Sequence, residues 1–223
     1  EKIKVVEAIL PTSADQVSAH CALGQYDGYQ DVDGVASNST TETYAAVKLY
    51  VENWRWAKMP FYLRSGKGLA EKRTEVMVQF KPPAANLFRT LPAFKHEPNL
   101  VPNRLVLSIA PNDALSMRIE TKRPGQGIVL DSVELQGDVS SESVLPEVEA
   151  YGPLMLDAMR GDQTLFKHRL EVESAWDAVM PFIGVESKAA REGIANTYAK
   201  GAWGPSSADD LMARDHRAWR NGA

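Results

Sequence analysis

One cysteine, Cys21, stands among 223 residues, so no disulfide forms within the chain and a disulfide-stapled scaffold is excluded. Long apolar runs are missing too: none approaches the roughly 20 residues a helix needs to span a bilayer, and no membrane partner is expected. Positive charge is not in excess. Twenty-five Lys and Arg face 29 Asp and Glu, a net charge of −4. No nucleic-acid partner is expected, because no overall cationic field exists to displace counterions from a phosphate backbone. A hydrophobic content of 44% excludes intrinsic disorder. The opening residues, EKIKVV, carry neither an initiator Met nor a signal peptide. With the lone cysteine, this predicts a cytoplasmic location and a partial or excised chain.

Several chemical motifs are absent. Gly66-Lys67-Gly68 and Gly125-Gln126-Gly127 lack a third glycine, and the latter leads toward a strand rather than a helix. A dinucleotide cradle needs a preceding strand and a following helix N-terminus, so no Rossmann unit is expected. His20, His96, His168 and His216 are scattered, and no metal site is expected. No Ser or Cys occupies a nucleophile elbow. Glu171 with Glu173, and Asp209 with Asp210, do not share a helix face and read as solvated surface.

What is present is β-pattern first and helical pattern last. Residues 3–10 (IKVVEAIL) read as a strand, 12–18 as a polar turn or short helix, and 19–26 as a second strand with His20 and Cys21 on opposite faces. Residues 27–41 read as a loop. Further strands are expected over 44–52, 59–64, 75–80 and 128–135. The clearest signal is Leu105, Leu107 and Ile109, then Leu115, Met117 and Ile119, alternating on either side of Pro111-Asn112-Asp113, a hairpin signature. Helices are expected over 151–160, with Pro153 in the first turn, over 170–183 and over 206–219. The second should bury Val172, Trp176, Val179 and Ile183, with Pro181 bending or ending it. Ser206 or Ser207 would cap the last. This order predicts an α+β fold: a large, mostly antiparallel β-sheet with helices packed on one face, in a single domain over residues 1–223.

Charge is unevenly placed. Residues 55–73 hold Arg55, Lys58, Arg64, Lys67, Lys72 and Arg73 against Glu71 alone. That local +5 leaves −9 for the rest and suits one small anion near the glycine-flanked Lys67. Trp54 and Trp56, at strand spacing around Arg55, suit core packing or a cation–π platform.

Residues 50–80, YVENWRWAKMPFYLRSGKGLAEKRTEVMVQF, closely resemble the C-terminal domain of glucose-6-phosphate dehydrogenases. The shared strings are N-x-R-W, P-F-x-L-R-x-G-K and the basic pair before a strand. Residues 24–26, 38–46, Pro111-Asn112, Lys122-Arg123-Pro124-Gly125, 154–166 and Trp203-Gly204-Pro205 extend the resemblance along the chain. It implies the C-terminal half of an enzyme that oxidises glucose 6-phosphate to 6-phosphogluconolactone with NADP, at the entry to the pentose phosphate pathway. NADP would be bound mainly by a preceding Rossmann domain absent here.

By the same resemblance, Lys67 and Lys72 bind the phosphate of glucose 6-phosphate, and the sheet forms a homo-oligomer, usually a dimer. The family's catalytic histidine lies upstream, so no catalytic residue is expected here and the chain alone should be inactive. Arg73 and Arg118 match cationic positions of a structural NADP site found in some members. Ser108 and Ser116 replace its arginine and tyrosine, Ala110 replaces a polar residue near the substrate, and Pro153 departs from the family pattern. Two other readings stay open. One is a stand-alone, non-catalytic homologue acting as a binding or assembly module; the other is the sheet domain of a different Rossmann-linked sugar oxidoreductase.

Overall fold

The strands divide between two four-stranded sheets, one in each of two compact units: Glu1–Glu71 with Glu149–Ala223, and Lys72–Val148. The computed structural model describes residues 1–82, 101–125, 129–138, 151–183 and 196–221. His96, Gln126, Gly127 and Ile128 lie outside the described residues. The α+β class is what the structure shows, with mostly antiparallel strands and helices packed against them.

In chain order the first unit opens with α1 (Lys2–Glu7), α2 (Ala14–His20), β1 (Cys21–Tyr26), β2 (Tyr44–Tyr50) and β3 (Pro60–Gly66). The second unit holds β4 (Thr74–Gln79), β5 (Arg104–Ala110), β6 (Ala114–Lys122) and β7 (Leu130–Asp138). The chain then returns to the first unit with α3 (Tyr151–Arg160), α4 (Arg169–Ile183), β8 (Thr197–Tyr198) and α5 (Ser206–Ala213).

The first sheet runs β3-β2-β1-β8, antiparallel except for β8, which lies parallel to β1. Strand alternation sends side chains to two cores. Ala22, Tyr44 and Ala46 meet Tyr198 and, from α5, Ala208 and Leu211 on one side. Leu49 meets Val17 of α2 and Phe182 of α4 on the other. Leu211 is 2% exposed, a burial that stabilises by about 2 kcal/mol. Tyr44 is 1% exposed because its neighbours are glycines. A Cβ on Gly66 would lie 2.7 Å from the Tyr44 ring, and one on Gly204, whose φ is +121°, would lie 2.5 Å from it.

The second sheet runs β4-β5-β6-β7, antiparallel throughout, and the expected β5–β6 hairpin is its centre. Leu107 pairs with Leu115 and Leu105 with Met117, so the two alternating runs share one face. Val76, Val78, Val133 and Leu135 join it by register.

Several expectations are corrected. Residues 3–10 are not a strand. Ile3 and Val6 sit one helical turn apart in α1, which packs on α4, and tertiary contact overrides β-branched propensity. Strand-like pairing is confined to Ala8–Leu10, where Ile9 bridges Val51, Leu10 N–H donates to Tyr50 O and Ala8 O accepts from Glu52 N–H. Trp54, Arg55 and Trp56 are not strand-spaced either. The Asn53 side chain accepts from the N–H groups of Arg55 (3.1 Å) and Trp56 (2.9 Å), winding a turn. Trp54 is therefore 89% exposed beneath Arg55, while Trp56 packs on Phe61.

In α4 the buried pair is Ala178 and Phe182, one turn apart, and Val172, Trp176 and Ile183 are exposed. Pro181 does not end this helix, which runs on to Ile183. The last helix stops at Ala213 instead of 219. His216 takes a left-handed φ of 55° and Arg217 N–H closes on Met212 O, reversing the chain. Its N-cap position is Pro205, and neither Ser206 nor Ser207 caps it; the Ser207 hydroxyl is buried without a partner.

Candidate functional site

The strongest sequence candidate, Lys67, sits just past the end of β3 in a turn gripped from beneath. Its N–H donates to Thr43 O at 2.8 Å, and its carbonyl accepts from the Tyr198 hydroxyl at 2.7 Å. Tyr198 also lies 3.0 Å from Thr43 Oγ1, which accepts from Tyr26 N–H at 2.9 Å. A phenol has one proton, and of its two carbonyl acceptors Lys67 O at 2.7 Å is nearer than Thr43 O at 3.2 Å and takes it. Thr43 Oγ1 must then donate to Tyr198, so the order is Tyr26 N–H to Thr43 to Tyr198 to Lys67. Thr43 and Tyr198 are buried, at 8% and 4% exposure. Burial raises the Tyr198 pKa above the usual phenol value, which keeps the donor protonated.

The turn is stitched further along. Gly201 N–H donates to Gly68 O at 2.8 Å, and Ala70 N–H to Ala202 O at 3.0 Å. Gly68 has φ +59°, which glycine adopts without strain. The ammonium of Lys67 is exposed and has no carboxylate partner among the described residues.

Arg55, Lys58 and Arg64 do not gather there. Arg55 and Lys58 lie before β3, roughly 20 Å away at its other end. Arg64 is committed elsewhere, its guanidinium 5.1 Å from the Trp203 ring and 4.8 Å from that of Trp219. It donates to Arg220 O and Asn221 Oδ1, both at 2.8 Å. Beside it, Lys48 meets Asp215 at 2.5 Å, and the Tyr62 hydroxyl donates to the same carboxylate. Together these contacts fasten the C-terminal segment to the sheet that carries Lys67.

Lys72 opens the second unit, exposed and unpaired among the described residues. Arg73 lies 3.5 Å from Glu75. Arg118 donates to Ser132 Oγ at 2.7 Å and lies 3.7 Å from Glu120. Its face of the sheet carries Met77, Val106, Ser108 and Ser116 and no aromatic ring among the described strand residues. Arg73 and Arg118 thus each stand beside a carboxylate of their own sheet.

Of the remaining candidates, Glu171 and Glu173 join surface pairs with Lys167 and Arg169. His20 ends α2 and Cys21 begins β1, so the pair does not share a strand. Burial pushes the Cys21 thiol up to about 12, leaving it unreactive.

Residues 1–220 match the family described as glucose-6-phosphate dehydrogenase, C-terminal domain. The chain belongs to this family. It is 36% identical to glucose-6-phosphate 1-dehydrogenase of Aggregatibacter actinomycetemcomitans, aligning 99% of this chain with 44% of the relative. With the Mycolicibacterium smegmatis enzyme it shares 38% identity over 100% of this chain and 46% of the relative. The crystal structure of glucose-6-phosphate 1-dehydrogenase from Mycobacterium avium superposes with a TM-score of 0.76 at 30% identity, over 99% of this chain and 43% of that one. A glucose-6-phosphate dehydrogenase in complex with its substrate, glucose 6-phosphate, superposes at 0.78 and 27% identity, covering 99% and 44%. The chain thus spans less than half the length of these relatives.

Thr43 and Tyr198 escaped the sequence reading. Tyr198 lies 131 residues from Lys67, and no local pattern links them. The family string at residues 38–46 contains Thr43 without marking its role.

Proposed function

We propose that this domain is the substrate-phosphate-binding and self-associating half of an NADP-dependent glucose-6-phosphate dehydrogenase that oxidises glucose 6-phosphate to 6-phosphogluconolactone in the cytoplasm, opening the pentose phosphate pathway. The observation that carries the reading is the Lys67 turn, an unpaired ammonium on backbone held by the buried Thr43–Tyr198 pair. A phosphate dianion needs such a cation, and a fixed backbone converts phosphate binding into positioning of the distant C1. Lys72 is the second cation that the family resemblance assigns to the substrate.

NADP, when bound, accepts hydride from the sugar; the coenzyme site and the general base belong to the half that precedes this domain in the complete enzyme. Self-association would use the second sheet. Val76, Ile109, Leu115, Val133 and Leu135 share its apolar face and are each at least 39% exposed, which suits a second copy better than water.

The test is NADP reduction with glucose 6-phosphate by the 223-residue chain and by the complete dehydrogenase. Turnover by the complete enzyme alone is expected. Turnover by the isolated chain would place the coenzyme site within it and overturn the division of labour.

A further inference from the structure

Lys200 has no place in the reading so far, yet the fold brings it to the Lys67 turn. It follows β8, whose Tyr198 grips the Lys67 carbonyl, and precedes Gly201, whose N–H binds Gly68 O. Its stem passes over Gly68: Lys200 Cγ lies 3.4 Å from the point where a side chain on that glycine would start. Its ammonium rests 4.7 Å from the centre of the Tyr26 ring, and Tyr26 N–H begins the hydrogen-bond chain to Lys67. Lys67 and Lys200 thus stand on two chain segments, after β3 and after β8, that hydrogen bonds join.

Neither ammonium has a carboxylate partner among the described residues. Both side chains are exposed, and the backbones that carry them are joined by the Gly201–Gly68 and Tyr198–Lys67 hydrogen bonds, so one surface offers an anion two cations. The Tyr26 face restrains the Lys200 side chain by cation–π attraction and lowers the entropy lost on binding.

We propose that Lys200 is a further phosphate-binding residue of this dehydrogenase, pairing with Lys67 to clasp the phosphoryl group of the sugar phosphate from the β8 side. The proposal rests on the Lys67 reading above. A phosphate monoester dianion offers three terminal oxygens, enough for both ammonium groups, whereas unphosphorylated glucose offers nothing to either.

The test compares Lys200→Gln, Lys200→Arg and Lys67→Ala in the complete dehydrogenase, with glucose 6-phosphate, with glucose, and with inorganic phosphate as inhibitor. For Lys200→Gln, KM for glucose 6-phosphate should rise roughly three- to tenfold, as for one exposed charged hydrogen bond, with kcat held. Phosphate inhibition should weaken in parallel, glucose turnover should be unchanged, and Lys200→Arg should recover most of the loss. Weakened phosphate inhibition without a change in KM would assign Lys200 to free phosphate and overturn its role toward the sugar. A raised KM for Lys67→Ala with an unchanged one for Lys200→Gln would overturn this inference and leave the Lys67 reading standing. No effect in either would remove both. A fall in glucose turnover for Lys200→Gln would mark a structural role and also overturn it.

Discussion

The Tyr198 hydroxyl donates to the Lys67 carbonyl at 2.7 Å, joining β8 to the turn that follows β3 across 131 residues of sequence. The same phenol receives the Thr43 hydroxyl, so one buried ring fixes both the lysine backbone and the residue that accepts the lysine N–H. Removing this hydroxyl leaves Lys67 O and Thr43 Oγ1 each short of a partner. Tyr198→Phe should cost about 1–3 kcal/mol, read as a lowered urea midpoint. In the complete enzyme it should raise KM for glucose 6-phosphate more than it lowers kcat. An unchanged KM would show that the turn holds its place without Tyr198.

Asp215 predicts an acid-dependent stability. Its burial would raise the carboxyl pKa, but hydrogen bonds from Lys48 and Tyr62 outweigh it and hold the group below the usual carboxylate value. The folded state therefore binds this proton more weakly than the unfolded state. Its contribution is present above the unfolded value of about 4 and is lost as pH falls through the lower folded one. Asp215→Asn should be destabilised by about 1–3 kcal/mol at pH 7, and its gap from wild type should close below about pH 4. Urea midpoints at pH 7, 5 and 3 measure this; a gap independent of pH would exclude the ionised contact.

Arg64 is a planar cation between two indoles, and lysine does not reproduce that geometry. Arg64→Lys keeps the charge but loses stacking and the paired donation to Arg220 O and Asn221 Oδ1. The C-terminal segment should then be cut faster by protease, with a stability loss of about 1–2 kcal/mol. Wild-type cleavage rates would show that the segment is held by its other contacts alone.

These contacts mark where the sequence could and could not be read. Alternation over Leu105–Ile109 and Leu115–Ile119 located the β5–β6 hairpin, because period-2 burial is a local property of a one-sided sheet. IKVVEAIL misled because Ile3 and Val6 suit a helix face as well as a strand, and α4, far along the chain, decides between them. Trp54 and Trp56 misled because the Asn53 side chain bends the backbone between them. The motif pointed to Lys67 but not to the hydrogen bonds that hold its turn. Arg64, from the same motif, is a tether rather than a ligand, and that depends on Trp203 and Trp219. Thr43, Tyr198 and Lys200 reach the turn only through tertiary pairing.

The α4 assignment separates buried from exposed apolar residues on a single helix. Phe182 is 2% exposed and Trp176 is 56% exposed. Phe182→Ala should cost about 3–5 kcal/mol, as for a large core aromatic, and Trp176→Ser less than about 0.5 kcal/mol. Thermal and urea unfolding of the two variants checks the ranking. Equal losses would mean that Trp176 is covered in the folded protein.

The central claim is that the Lys67 ammonium holds the sugar phosphate. Lys67→Ala in the complete dehydrogenase tests it most directly, through the Michaelis constants for glucose 6-phosphate and NADP. KM for glucose 6-phosphate should rise at least about tenfold, as expected for losing a charged hydrogen bond, while KM for NADP stays near wild type. An unchanged KM for glucose 6-phosphate in a folded variant would contradict the claim.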